Sequence, residues 1–198
     1  MNAGDQGTDD VFAETAEVHE RSLRIGVRVI AGSTILFFSA FAFTYFYLRS
    51  VNSNGQWNAA DVAAPDGYGV ALAALFVIAA AAISAADGAA RRRRPWLAQA
   101  GTALAAVIVA IVVQAIEYAN VDFAPGDGGY TSVFYGWTSM LAVFALGAAY
   151  WLAVLVAEGA RIRMPDAQRA PPGVEEAAFH VRVLATIAVI AWVLLYLL

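Results

Sequence analysis

Five long apolar segments dominate this chain, and each is long enough to cross a lipid bilayer as a helix. They cover about residues 26–48, 68–86, 96–118, 131–157 and 178–198. A helix that crosses roughly 30 Å of hydrocarbon needs about 20 apolar residues. Backbone groups in lipid must be hydrogen-bonded within the segment, so helices are expected rather than open strands. The sequence therefore predicts an all-α polytopic membrane protein, a bundle of five transmembrane helices.

The composition agrees with a membrane protein and narrows its chemistry. Of the 198 residues, 61% are hydrophobic and 14% are charged, against about 25% charged in a typical soluble domain. There is no cysteine, so the chain can form neither a disulfide nor a thiolate metal site. Its two histidines, His19 and His180, are far apart in sequence. A haem or metal centre built by this chain alone is therefore not expected, and no catalytic, cofactor-binding or metal-binding residue is predicted.

The arginines predict the orientation in the membrane. Of the twelve basic residues, all of them arginine, only Arg49 falls on the side opposite to the others if the chain alternates through five spans. Cytoplasmic loops carry an excess of positive charge, which places the N-terminus inside and the C-terminus outside the cytoplasm. Residues 1–25 are predicted to form an acidic cytoplasmic tail rather than a cleavable signal peptide.

The run "RRRR" lies between the second and third spans. Arg91, Arg92, Arg93 and Arg94 are interpreted as a topology anchor, and binding of anionic lipid headgroups is the alternative reading.

Polar side chains are rare inside the spans. Gln114, Glu117 and Tyr118 have i, i+3, i+4 spacing and share one face near the end of the third span. His180 and Arg182 open the fifth span. Ionisable residues within a span are functional candidates. The centres of the five spans are nevertheless almost free of charge, so no proton path across the membrane can be drawn.

Several motifs resemble those of subunit three of the haem–copper oxidases, the cytochrome c oxidase family and its quinol-oxidase relatives. The first span contains "GSTILFFSAFAFTYFYLR". The third ends in Gln-x-x-Glu-Tyr at Gln114, Glu117 and Tyr118, and "YTSVFYGWTS" follows from Tyr130. His180 falls where the family has a Trp-His pair. The number of spans and the predicted orientation are similar to those of the shorter, five-helix versions of that subunit.

The chain departs from the family pattern at four positions. Thr34 stands where the family has a buried glutamate, and Val183 stands where it has an aspartate. Leu141 and Phe144 replace two histidines of the family's fourth-span motif. The chain is thus identified as a divergent member, and functions of those family residues do not carry over.

The resemblance implies an accessory subunit without an active site of its own. Haem and copper are expected in the partner catalytic subunits. The subunit would pack on catalytic subunit I, beside subunit II, in the cell membrane of a prokaryote. It would hold phospholipid and support proton uptake in aerobic respiration. Lipid or subunit contacts are predicted at Gln114, Glu117, Tyr118, His180 and Arg182, with Glu117 as a packing or hydrogen-bonding residue.

Other functions remain open from the sequence. The chain could be the subunit-three-like partner of a quinol oxidase or a nitric oxide reductase. A different class of protein is a stand-alone small transporter, although the uncharged span centres and the lack of an internal repeat argue against it. An assembly factor that leaves the mature complex is a further alternative.

Overall fold

The computed structural model describes residues 16–52, 54–58, 61–161 and 173–198, and this part of the chain contains helices without any strand. The five helices are α1 (Ala16–Ser50), α2 (Asp66–Arg91), α3 (Leu97–Asn120), α4 (Gly129–Arg161) and α5 (Val174–Trp192). A π-helical turn, Val193–Leu197, continues α5. All five helices are long and apolar enough to cross a membrane. The predicted all-α class with five membrane-spanning helices is confirmed.

The helices extend beyond the apolar segments that predict them. Helix α1 begins at Ala16, ten residues before the first predicted span, and α4 has 33 residues. Residues 16–25, assigned from the sequence to the tail, are therefore helical, whereas residues 1–15 lie outside the described part of the chain. Hydropathy marks only the stretch that crosses hydrocarbon. The backbone hydrogen bonds of a helix continue into the polar interface.

Small residues let α2 and α3 approach each other closely. Ala79 and Ala86 on α2 are fully buried, as are Ala100 and Ala103 on α3. Side chains of this size allow the two backbones to pack without bulky groups between them, as is usual between helices in lipid. Helix α2 also packs extensively on α5, and α4 packs on α3. Helix α5 packs on α1, α2 and α4 and is the most buried of the five, so the core of the bundle lies around it.

Helix α1 lies at the edge of the bundle and packs mainly against α4 and α5. Much of its apolar surface is uncovered: Leu36 is 74% exposed and Phe43 is 70% exposed. Exposed apolar surface of this extent is compatible with a lipid environment or with a protein partner.

The two ends of the bundle carry different side chains. At the arginine-rich end, Arg91 of α2 meets Glu175 of α5, and Trp96 before α3 packs on Gly159 of α4. At the opposite end, the last turn of α3 contacts Thr138 of α4 and Tyr196 of the π-helical turn, and Gly69 of α2 packs on the Tyr196 ring.

Candidate functional site

The buried carboxylate of Glu117 is the centre of a polar cluster at the end of the bundle opposite the arginines. Its residue is 0% exposed. Gln114, one turn earlier on α3, donates from Nε2 to Glu117 Oε2 at 2.6 Å. The Tyr196 hydroxyl donates to Glu117 Oε1 at 2.6 Å. Because a buried carboxylate is costly without hydrogen bonds, these two donors make the position tolerable in an apolar bundle.

Tyr196 reaches the carboxylate from the π-helical turn, Val193–Leu197, after α5. Its ring lies against Gly69 of α2, where an added Cβ would stand only 2.6 Å from Tyr196 Cγ. The Phe134 ring of α4 meets it nearly edge-on at a centroid distance of 5.9 Å. Because Gly69 has no side chain, the Tyr196 ring fits against α2, and its hydroxyl can reach Glu117 on α3.

Tyr118, next to Glu117, makes a separate link from α3 to α4. Its hydroxyl lies 2.7 Å from Thr138 Oγ1. Thr138 already donates its only hydroxyl proton to the Phe134 carbonyl at 2.7 Å. Tyr118 is therefore the donor in the contact between the two side chains.

Tyr130 connects the turn after α5 to the segment before α2. Its hydroxyl donates to the Leu195 carbonyl at 2.8 Å and accepts from the Ala64 backbone N–H at 3.1 Å. The last carbonyl groups of a helix have no partner within the helix, and Tyr130 supplies one for Leu195. We call Gln114, Glu117, Tyr118, Tyr130, Thr138 and Tyr196 the carboxylate cluster.

The carboxylate cluster joins helices but offers little chemistry. Glu117 is its single carboxylic acid, and its other members are tyrosines, a threonine and an amide. Across the described ranges, no group of three or more His, Cys, Asp or Glu side chains could hold a metal ion. Its hydrogen bonds tie α3 to α4 and to the end of the chain, which is a packing arrangement.

His180 and Arg182 lie elsewhere, near the start of α5. His180 is 6% exposed and packs near the Trp151 ring, at a centroid distance of 6.3 Å. Arg182 donates from Nε to the Ala178 carbonyl of its own helix at 3.1 Å. His180 and Tyr196 are separated by roughly 24 Å along the helix axis. The five residues predicted as contacts therefore fall into two groups at opposite ends of the bundle.

The arginine-rich end is held by ion pairs between helices. Arg91 Nε lies 3.0 and 3.1 Å from the two carboxylate oxygens of Asp87, one turn earlier on α2. Arg91 Nη2 lies 2.9 Å from Glu175 Oε2 on α5. A longer contact of 3.8 Å joins Arg24 Nε of α1 to Glu176 Oε1 of α5. The start of α5 is thus linked to both α1 and α2.

An apolar cleft of about 250 Å³ lies between α1, α4 and α5. Trp137 borders it, is 1% exposed, and has a buried indole N–H without an acceptor in the described part of the chain. A buried donor without a partner is unusual and calls for a physical explanation. The other residues that border the cleft include Ile35, Phe38, Val183, Thr186 and Ile190.

Sequence reasoning did not predict Tyr196, Gly69 or Trp137 as parts of a site. Tyr196 lies in the apolar last part of the fifth segment. Its hydroxyl group is the only sequence feature there that indicates a need for a buried hydrogen-bond partner. The role of Gly69 depends on a ring that is distant in sequence. The unpaired indole of Trp137 is visible only after the helices are packed.

The fold is that of a multi-pass helical membrane protein, and the carboxylate cluster joins its helices at one end. The family model of cytochrome c oxidase subunit III matches residues 8–198, nearly the whole chain. The chain therefore belongs to the cytochrome c oxidase subunit III family, and the resemblance drawn from its motifs is confirmed. No curated protein matches it significantly.

Membership of this family places the chain in a larger protein complex. The family implies a subunit III of a haem–copper oxidase that associates with the oxidase complex, and this subunit is generally free of cofactors. The five membrane-spanning helices agree with a multi-pass membrane subunit.

Three of the positions at which the sequence is predicted to depart from the family motifs make packing contacts in the structure. Thr34 is buried and donates its hydroxyl to the Ile30 carbonyl of its own helix at 2.8 Å. Phe144 packs on Phe38 of α1 at a ring-centroid distance of 5.7 Å. Val183 borders the apolar cleft. These side chains thus contribute to packing within α1 and between α1, α4 and α5.

Proposed function

We propose that this chain is the accessory subunit III of a haem–copper terminal oxidase in an aerobic respiratory chain. It packs on catalytic subunit I and stabilises it, in a complex that also contains subunit II. Haem and copper belong to those partner subunits. The chain lies in the cell membrane of a prokaryote, with its N-terminus in the cytoplasm and its C-terminus outside. It is a non-catalytic part of an oxidoreductase.

One observation carries this proposal: the subunit III family model matches almost the whole chain. The structural observations are compatible with it. Within the described ranges, Glu117 is hydrogen-bonded to Gln114 of its own helix and to Tyr196 of the π-helical turn, so both of its carboxylate oxygens are engaged in packing contacts. The uncovered apolar surface of α1 and α4, including Leu36, Phe43 and Tyr150, is available for lipid or for another subunit.

Lipid binding belongs to the same proposal. The cleft between α1, α4 and α5 has a size and an apolar lining that suit part of a lipid chain. We retain Gln114, Glu117, Tyr118, His180 and Arg182 as proposed lipid or subunit contacts. A contribution to proton uptake is also part of the proposal, and only family membership supports it.

A subunit-III-like role in a quinol oxidase or a nitric oxide reductase is the closest alternative, because the electron donor binds elsewhere in such complexes. A stand-alone transporter or an assembly factor remains the alternative from a different class of protein.

The test is to purify the tagged chain in a mild detergent and record a visible absorption spectrum and a subunit mass spectrum. Haem bands, with a catalytic oxidase subunit at equal stoichiometry, are expected. A colourless, stable preparation of this chain alone would contradict the proposal and favour a transporter or an assembly factor.

A further inference from the structure

The turn between α2 and α3 presents three arginines side by side at the end of two membrane-spanning helices. We propose that Arg92, Arg93 and Arg94 form a binding site for the headgroups of anionic phospholipids. This site deepens the proposed lipid binding, but it depends only on the chain lying in a membrane and not on its role in an oxidase.

Arg91 is excluded from the site because its guanidinium is already engaged. It contacts both carboxylate oxygens of Asp87 and one of Glu175, at distances between 2.9 and 3.1 Å. The next three arginines are exposed. Within the described ranges, no ion pair joins them to a carboxylate. In the described part of the chain, the four-arginine run thus divides into one arginine in ion pairs and three exposed arginines without an ionic partner.

The backbone of this turn is fixed by its own hydrogen bonds. Arg93 N donates to the Ala90 carbonyl at 3.0 Å, and Arg94 N donates to the Ala89 carbonyl at 2.9 Å. These two bonds form the Schellman arrangement at a helix end. Arg93 has a φ of +53°, a left-handed conformation that usually selects glycine. Although glycine is favoured at this position, the residue is Arg93, so the turn carries three exposed guanidinium groups and not two.

The turn is also held against the bundle. Trp96, directly after Pro95, is 2% exposed. Its ring lies so close to Gly159 of α4 that an added Cβ there would stand 2.6 Å from Trp96 Cη2. The turn therefore cannot move far from the helix ends, and its arginines stay at the level where the apolar part of the bundle ends.

Lipid phosphates are the anions that this location favours. They lie at the boundary between hydrocarbon and water, the same boundary at which α2 and α3 end. Guanidinium groups bind phosphate oxygens through paired N–H donors, and clusters of basic residues beside a membrane helix attract anionic lipids. Phosphates of an anionic leaflet surround the turn on all sides in the plane of the membrane and can contact all three arginines. A soluble acidic partner would have to approach from the aqueous side alone.

The test uses the full chain reconstituted in lipid nanodiscs, either of phosphatidylcholine alone or of equal parts phosphatidylcholine and phosphatidylglycerol. The midpoint of thermal unfolding is measured in both. We expect a higher midpoint with phosphatidylglycerol for the natural chain. The combined Arg92→Gln, Arg93→Gln and Arg94→Gln variant is expected to lose this difference and to keep its midpoint in phosphatidylcholine alone.

Arg91→Gln is the matched control. It removes one arginine from the same run and breaks the contacts with Asp87 and Glu175, so any loss of midpoint, small for exposed ion pairs, is expected equally in both lipids, and the difference between them is retained. Should the triple variant not fold, Arg93→Gly removes one guanidinium and relieves the left-handed conformation. It is expected to reduce the difference without lowering the midpoint in phosphatidylcholine.

Three results would overturn the proposal. The first is an undiminished phosphatidylglycerol effect in the triple variant or, if that variant does not fold, in Arg93→Gly. The second is that phosphatidylglycerol does not stabilise the natural chain, while the triple variant unfolds at a lower temperature than the natural chain in phosphatidylcholine. That result would indicate that the arginines pair with the chain's own acidic N-terminal segment. The third is an equal gain from inorganic phosphate in phosphatidylcholine nanodiscs, which would indicate a site for a free anion instead of a lipid.

Discussion

Glu117 is a carboxylate held inside an apolar bundle by neutral donors. An amide from the same helix and a hydroxyl from the end of the chain each occupy one of its oxygens, both at 2.6 Å. Hydrogen bonds strengthen in a low-dielectric interior, and losing one leaves a costly unpaired atom there. The stability of this end of the bundle should therefore depend on each donor separately.

Tyr196→Phe tests the hydroxyl donor. The ring and its packing on Gly69 remain, but Glu117 Oε1 loses its partner. We expect the free energy of unfolding to fall by about 1–3 kcal/mol. Thermal unfolding in detergent checks this against Tyr150→Phe, the same change at a residue that is 75% exposed. Equal effects of the two substitutions would show that the Tyr196 bond contributes nothing.

Glu117→Gln tests whether the carboxylate takes part in turnover. No chain of acids or histidines leads from Glu117 across the membrane in the described part of the structure, so the initial rate of oxygen reduction by the purified complex should remain nearly unchanged. Tyr196 can still donate to the amide oxygen. A large loss of initial activity in an otherwise intact complex would contradict the packing interpretation.

At the scale of elements, α5 is fixed at both ends by different interactions. Its first turn contacts Arg91 and Arg24, and the π-helical turn after it carries Tyr196 to α3. Exposed ion pairs contribute little, typically below about 1 kcal/mol. The contact of Tyr196 with α2 and α3 is therefore the stronger of the two attachments.

Gly69→Ala tests the fit between α2 and the end of the chain. The new Cβ would meet the base of the Tyr196 ring at 2.6 Å, so the ring has to move away from Glu117. A loss of about 1–3 kcal/mol in the free energy of unfolding is expected. Gly67→Ala is the control on the same helix, because an added Cβ there meets nothing within 4 Å. A harmless Gly69→Ala substitution would contradict this account of the fit.

The helices could be predicted from the sequence, but the contacts between them could not. Five apolar segments each require a helix in lipid, which is a local requirement that hydropathy detects. The spacing of Gln114 and Glu117 likewise places them on one face, and they are hydrogen-bonded. The partnership of Glu117 with Tyr196 joins residues 79 positions apart. It depends on the π-helical turn and on Gly69, and neither has a local signature.

At the scale of the whole molecule, charge and apolar surface are distributed in a way that suits a membrane subunit. Four arginines lie together at one end, and the bundle leaves large apolar residues of α1 and α4 uncovered. Hydropathy and arginine counts predict such a distribution. They do not predict which uncovered surface faces lipid and which faces another subunit, because both kinds of surface are apolar.

Replacing Arg91, Arg92, Arg93 and Arg94 together by glutamine tests the predicted topology anchor. Insertion and assembly should suffer more than the chemistry of any complex that forms, because these residues supply much of the positive charge on one side. The chain has no cysteine, so a single cysteine introduced at Asp127 reports the orientation by its reaction with an impermeant thiol reagent. Normal insertion together with lost proton uptake would contradict the anchor interpretation.

We propose that this chain is an accessory subunit that stabilises a catalytic partner. The most direct measurement compares oxygen consumption over time by the purified oxidase with and without this chain. We predict a similar initial rate in both preparations and a much faster loss of activity when the chain is absent. An oxidase that is inactive from the start without the chain, or one that is equally long-lived, would contradict the account.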